Sequence, residues 1–429
     1  VRRISTFLGL LTIALVAVAP ASGLEIQSIV RAAAEYQNPN PHLQTMFRTA
    51  LLDTTKLAEF APDGTAYVKT GDIPAEWLRD ASAQVRPYLY YAKSDPAVRG
   101  LLRAIIAREA KYVQIDPYAN AFTLDYRVWE EKYELDSLAY PVTLAWSYWH
   151  ATGDKAIFTP DESKALDAIL ATMQREQNHA RNSRYTHKEL ADDGKGRPSG
   201  YTGMIWTGFR PSDDACYYNY LIPSEMFAVV ALGDMVQIER QVYHDDAKAA
   251  QAQKLRDEVQ RGIQRFGMVT DKKYGKVYAY EVDGLGKGIV TDDANVPSLL
   301  SAPYIGYTTV NNPYYLNTRA FLLSQDNASY YTGNVARGIG SYHTPDHWIW
   351  PLALVMEGLT ANSQTEKQDV LNQLLASDPG DHLLHESFDP NDPKRYTRAD
   401  FGWPNALFSE YVMTSFDGVS PIPMGDPST

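Results

Sequence analysis

The run WTGFRPSDDACYYNYLIPSEMFAVVALGDMVQIERQVY, residues 206–243, changes character part-way along. Its first half is a loop of turn formers, aromatic rings and the adjacent acids Asp213 and Asp214; from Pro223 onward its apolar residues recur at helical spacing. The same helical stripe returns at 26–36, 42–58, 74–93, 96–114, 134–152, 162–179, 246–266, 314–325, 348–360, 364–376 and 403–414. That is about a dozen helices by template matching, so the fold class is all-α. Strand character is confined to AYVKTG and KVYAYEVDG, which read as hairpins in connecting loops. No Gly/Ser-rich or charged linker and no period of 20–50 residues divides the chain, which predicts one helical domain over 24–429.

Composition narrows the class. The chain has 429 residues, 45% hydrophobic and 21% charged, the balance of a globular protein that is neither disordered nor membrane-embedded. Its 29 tyrosines and 8 tryptophans are unusual, because rings with a polar edge stack on sugars and line amphipathic clefts as well as filling cores. A formal charge of −12 makes nucleic acid an unexpected partner.

The leading segment 1–23, VRRISTFLGLLTIALVAVAPASG, sets Arg2 and Arg3 before a short apolar run and Ala19, Ala21 and Gly23 after it. This is the layout of a secretory signal peptide. The expectation is an exported protein, periplasmic or secreted, with no membrane anchor after cleavage. Cys216 is the single cysteine, so no disulfide forms within the chain. Asn327 opens the tripeptide NAS, a glycosylation acceptor in a eukaryotic secretory pathway.

Four segments combine Trp or Tyr with Arg, Asp and Glu: GDIPAEWLRDASAQ (71–84), YANAFTLDYRVWEEKYELDSLAYP (118–141), TGFRPSDDACYYNYLIPSEMFA (207–228) and HESFDPNDPKRYTRADFGWPNALF (385–408). In the first, a helix from Pro74 puts Trp77 and Asp80 on one face with Arg79 alongside. In the second, Glu134 and Asp136 open a helix, where acids suit the macrodipole as well as a ligand. Asp213 and Asp214, beside Arg210, fit either a helix cap or a general acid whose pKa is raised by rings and a second acid. Glu386 is a second candidate carboxylate, and glycoside hydrolysis needs such a pair.

Other chemistries fit poorly. His343 and His347 have the i, i+4 spacing of metal ligands, but Pro345 lies between them and there is no H-E-x-x-H, so no metal is expected. Cys216 reads as a small core residue and not a nucleophile. GLGKG and DDGKGRPSG lack the Walker pattern, and neither a G-x-S-x-G elbow nor a Rossmann fingerprint is present, so no cofactor is expected.

Taken together, TGDIPAEWLRDASAQVRPYL, YANAF, WEEKYELDSLAYP, GFRPSDDAC, YLIPSEMFAVVAL, SYHTPDHWIWPLAL and HESFDPNDPKRYTRADFGWPNALFSE resemble glycoside hydrolase family 125, the metal-independent exo-α-1,6-mannosidases. The resemblance runs through nearly all of the chain after residue 23, in the family's order. It implies an (α/α)6 barrel of six inner and six outer helices, with the active site at one end. It also implies hydrolysis with inversion, an aspartate of RPSDDA (Asp213 or Asp214) acting as general acid and Glu386 as general base, with carboxyls about 6.5–9.5 Å apart. By similarity Trp77, Arg79, Asp80, Tyr118, Asn120, Glu134, Asp136, Arg210, His343, Trp348 and Arg398 would shape the sugar subsites. The implied substrate is an α-1,6-linked mannooligosaccharide or glycan. A barrel glycosidase of other linkage, or a carbohydrate-binding protein without turnover, are the alternatives.

Overall fold

Two kinds of helix alternate along residues 26–425, the part of the chain that the structure, a computed structural model, describes. The segment 1–23, expected from its sequence to be a signal peptide, lies outside these residues. The first kind is apolar all round and therefore interior: Leu135–Thr152 is buried without a break from Leu135 to Trp149, and Ile222–Ile238 at every position except Gln237. Pro351–Leu359 and Gly402–Ser415 are of the same kind. The second kind buries one stripe. Pro41–Leu57, Pro96–Ile115, Pro160–Glu176, Asp246–Phe266 and Gln364–Ala376 belong to it, the stripe of Asp246–Phe266 running through Ala249, Ala252, Leu255, Val259 and Ile263. The buried helices pack on one another, Leu135–Thr152 against both Leu78–Gln84 and Ile222–Ile238, and Gly402–Ser415 against Leu78–Gln84 and Pro351–Leu359. Each one-sided helix then covers them from outside, as Asp246–Phe266 covers Ile222–Ile238.

The stripes and the helices agree within a few residues except in two places. The stretch 74–93 begins its helix only at Leu78, because Glu76–Trp77 pairs as a strand with Ala121–Phe122. It breaks again at Val85, since Pro87 has no amide to bond back to Ala83, and resumes as Arg86–Ala92. The stretch 223–243 ends as an α-helix at Ile238 and finishes in a π-turn, Glu239–Tyr243.

The chain is richer in strands than its pattern shows. Among the described residues fourteen strands of two to six residues form six small sheets. A two-residue ladder is too short to leave a period in the sequence. AYVKTG does contribute Ala66–Val68, paired with Ala58–Phe60, and KVYAYEVDG contributes to the Met268–Asp271 and Gly275–Tyr278 hairpin.

Asn327 is buried, donates to the Leu322 carbonyl and accepts from Thr291 and the Ser329 amide. The folded chain therefore withholds this NAS site from glycosylation. Cys216 is likewise buried, and burial pushes its thiol well up. No helix among the described residues is long and apolar enough to cross a membrane.

The buried helices share a polarity that creates the site. Trp77 precedes Leu78–Gln84, Glu134 is the N-cap of Leu135–Thr152, Trp350 of Pro351–Leu359 and Phe401 of Gly402–Ser415. Loop 207–221 leads into Ile222–Ile238. Starts of several interior helices thus converge at one end of the fold.

Away from that end, Arg86 meets Glu410 in a bidentate pair (Nη2 to Oε1 3.0 Å, Nε to Oε2 3.2 Å), with the Tyr304 and Tyr90 hydroxyls donating to the same carboxylate. Removing one member of a buried pair strands the other's charge. Glu410→Ala is therefore expected to cost about 3–5 kcal/mol, read as a lowered urea midpoint, while a substitution at exposed Lys272 leaves the midpoint in place.

Candidate active site

The loop at the centre of the opening stretch is a three-residue hairpin turn. The Arg210 amide donates to the Asp214 carbonyl (2.8 Å) and the Asp213 amide to the Arg210 carbonyl (2.9 Å), with Pro211 at the position a type I turn favours. Closing such a turn requires a left-handed residue next, and that residue is Asp213, at φ 64°. A non-glycine residue held there stores strain, which the surrounding contacts must hold in place.

Those contacts aim its carboxylate inward. Asp213 Oδ1 accepts from Arg79 Nη2 and from Asn120 Nδ2, both at 3.1 Å. Arg79 is brought there because Leu78 donates its amide to the Asn120 carbonyl, so both residues hang from the Glu76–Trp77, Ala121–Phe122 and Val128–Glu130 sheet. The same guanidinium contacts Glu134 Oε2 (2.5 Å), Asp80 Oδ2 (3.4 Å) and Asp136 Oδ2 (3.5 Å), and lies over the Trp403 ring. Arg210, expected beside the acids, turns away to Glu281 (2.6 Å) and so pins the base of the loop. Arg79 takes the place that sequence reasoning gave it. Asp214 faces the other way and pairs with His343 (3.3 Å).

Glu386 arrives from the far end of the chain. Its loop enters strand Ser387–Asp389, which pairs with Asp392–Thr397 and is tied by Phe388 to Ile349. Arg398, also left-handed at φ 53°, binds Asp72 through Nε and Nη2 and sets Nη1 3.8 Å from Glu386 Oε1.

Asp213 and Glu386 line one cavity of about 150 Å³ together with Trp77, Arg79, Asp80, His343 and Arg398. Thr70, Ile73, Pro211, Ser212, Asn295, Trp350, Phe401 and Trp403 complete its wall; Thr70 and Asn295 could not be picked out from the sequence, because a lone Thr or Asn in a loop carries no pattern. Some of its polar atoms are unsatisfied: Thr70 Oγ1, Trp77 Nε1 and Asn295 Nδ2 are buried without a hydrogen-bond partner, and Arg79 Nε and Asp80 Oδ2 have only each other, at 3.4 Å. Buried polar atoms are nearly always paired, so a cavity wall of donors and acceptors left open is built for a ligand rich in hydroxyls.

Some candidates lie elsewhere. Tyr118 gives its hydroxyl to Glu176 (2.6 Å) and stacks on Tyr185, away from the cavity. Trp348 sits under Arg395 on a different groove, and the indole in the cavity wall is Trp350. Asn120, Glu134 and Asp136 stand behind the wall, touching Arg79 or Asp213. His343 and His347 do not converge, since His347 packs on Tyr331 and contacts Asp346.

The model of the metal-independent α-mannosidases, family GH125, matches residues 40–413. The chain belongs to glycoside hydrolase family 125. It is 37% identical over 386 residues to the meiotically up-regulated gene 157 protein of Schizosaccharomyces pombe, covering 81% of this chain and 76% of that one. Among solved structures, a metal-independent α-mannosidase from Streptococcus pneumoniae, in a non-productive complex with α-1,6-mannobiose, is 42% identical, with a TM-score of 0.86 over 91% of this chain and 96% of that one. A bacterial glucoamylase bound to acarbose shares the fold at 12% identity, TM-score 0.64, over 90% of this chain and 57% of that one. The protein is thus an α-mannosidase, a glycoside hydrolase whose cavity is flanked by carboxyls from two distant loops.

In this α-mannosidase the carboxyls are not equivalent. Burial raises the Glu134 carboxyl well above the usual range, and it lifts Asp80 and Asp136 to about 6 each against the pull of Arg79. Burial acts on Asp213 too, but Arg79, a hydrogen bond from Glu134 and the nearby His343 outweigh it and hold that carboxyl below its ordinary value. Glu386 is raised by burial, with Arg398 opposing.

The hydrogen bond with Asp214 lifts His343 from 6.5 to about 9, so the ring is charged at neutral pH. A raised folded-state pKa stabilises the protein fully below the unfolded value. That contribution is lost as pH climbs from about 6.5 through about 9. In Asp214→Asn the His343 pKa is expected to fall toward 6.5, followed by NMR of the ring protons across pH 5–10, and a His343 titration unchanged by the substitution contradicts the pairing.

Proposed function

We propose that this α-mannosidase is an exported, exo-acting enzyme on an (α/α)6 barrel that removes terminal mannose from α-1,6-linked mannooligosaccharides, mannans or N-glycans with inversion. The observation that carries the reading is the small cavity whose unpaired polar wall lies between Asp213 and Glu386. At about 150 Å³ the cavity is small, which supports recognition of a terminal sugar and exo action. Alternating buried and one-sided helices support two concentric rings. The leader 1–23 supports export, and the mannobiose bound by the Streptococcus pneumoniae relative supports the linkage.

Asp213 is the acid in this reading because it, and not Asp214, faces the cavity. Burial raises the Glu134 carboxyl while contact with Arg79 and a hydrogen bond with Glu134 lower that of Asp213, so Glu134 is the member of the pair that favours a proton before substrate binds. When the glycosidic oxygen docks against Asp213, that proton passes from Glu134 to Asp213 and on to the leaving oxygen as the C1–O bond breaks. Glu386, whose carboxylate form Arg398 favours against the effect of burial, takes a proton from water, whose oxygen attacks C1 from the opposite face. The surrounding carboxyls stabilise positive charge developing at C1.

Proton NMR of α-1,6-mannobiose turnover with chelator present is expected to show β-mannose first, then mutarotation. Asp213→Asn and Glu386→Gln are each expected to lower kcat by about 10²–10⁴-fold while leaving sugar binding measurable by calorimetry. An α-mannose first product rules out inversion, and near wild-type turnover by Glu386→Gln rules out its role as base.

A further inference from the structure

Far along the chain from the catalytic loops, two imidazoles converge on one carboxylate oxygen. His42 Nε2 lies 2.6 Å and His382 Nδ1 3.0 Å from Asp378 Oδ2, and these three are the grouping among the described residues whose ligand atoms are close enough to hold one ion. We propose that His42, Asp378 and His382 form a binding site for a divalent transition metal, zinc being the best fit, which clamps the two ends of the helical domain together and takes no part in hydrolysis.

The donor set carries the chemistry. Two imidazole nitrogens and one carboxylate oxygen are a zinc ligand set, with a fourth position left for water. The site is also pre-arranged. Asp378 Oδ1 accepts from the Gly380 amide (2.8 Å) and the His382 amide (2.9 Å), so its side chain, 2% exposed, is fixed with Oδ2 against the two imidazoles. Supporting hydrogen bonds of this kind orient carboxylate ligands in metal sites. His382 adopts φ 66°, a left-handed backbone that costs energy for a non-glycine residue and swings its ring beside that of His42.

The two rings are 42% and 41% exposed, which gives an ion a path from solvent. His42 stands in the first turn of Pro41–Leu57, whose N-cap Asn40 accepts the His42 amide, and Asp378 follows Gln364–Ala376. An ion bound here joins parts of the chain 336 residues apart. It also fixes the segment that leads to Glu386, since Asp381 and His385 in that segment pair at 3.2 Å.

The test uses the whole protein stripped with chelator and dialysed, then titrated with zinc chloride by calorimetry and thermal unfolding. One saturable ion per chain and a Tm higher by a few degrees are expected for wild type. His42→Ala and Asp378→Asn should weaken binding at least tenfold and erase the Tm gain, and turnover at low temperature should be the same with and without zinc. Because Asp378→Asn removes a buried anchor, anomalous scattering from zinc-soaked crystals of the unaltered protein provides a readout independent of variant folding. A zinc peak elsewhere, no saturable binding, or equal binding by His42→Ala overturns the proposal and leaves a hydrogen-bonded His–Asp–His cluster.

Discussion

One buried guanidinium organises this protein's working end. Arg79 is 3% exposed and touches carboxylates from three parts of the chain: Asp80 on its own helix, Glu134 and Asp136 at the start of Leu135–Thr152, and Asp213 in the hairpin turn. A lone buried cation would be costly, and a group of buried acids without a cation more so. Each makes the other tolerable, which explains how three segments so far apart in sequence come to rest against one side chain. Asn120 extends the arrangement by donating to Glu130, Glu134 and Asp213 from the neighbouring sheet.

The arrangement also accounts for the strained turn. A glycine in place of Asp213 would close the hairpin at lower cost, but it would leave Arg79 Nη2 without its acceptor and the cavity without its acid. Strain at φ 64° is the consequence of needing a carboxylate where the backbone prefers glycine. Arg398, at φ 53° beside Glu386, shows the same compromise on the opposite loop.

The helical framework was legible in the sequence because its signal is long. A stripe such as 246–266 repeats its apolar face five times over, and Asp246–Phe266 falls on it residue for residue. The catalytic loops were legible through their composition, so Asp213, Asp214 and Glu386 could be singled out, and the family through whole blocks of residues. Contacts decided what composition left open. Nothing in RPSDDA says that Arg210 turns to Glu281 while Arg79, more than a hundred residues earlier, supplies the guanidinium. The choice between Trp348 and Trp350 likewise rests on contacts, since Trp350 lines the cavity while Trp348 lies under Arg395 in another groove. Thr70 and Asn295 matter only because folding leaves their polar atoms unpaired, and an unpaired atom has no signature in a one-dimensional pattern.

Helix polarity raises a last question of magnitude. Several interior helices begin at this end of the fold, and helix starts favour negative charge by about 0.3–1 kcal/mol each. A pKa unit corresponds to about 1.4 kcal/mol, whereas full burial raises a carboxyl by up to about 3–5 units. The dipoles therefore cannot offset burial, and the carboxyls of Glu134, Asp80 and Asp136 are raised accordingly. Direct contact with Arg79, helped by a Glu134 hydrogen bond, is strong enough to reverse the effect, and it does so at Asp213. The site consequently holds one carboxyl drawn below its ordinary value among neighbours pushed above theirs. Unequal protonation of adjacent groups is what lets a cluster of like acids move a proton in one direction.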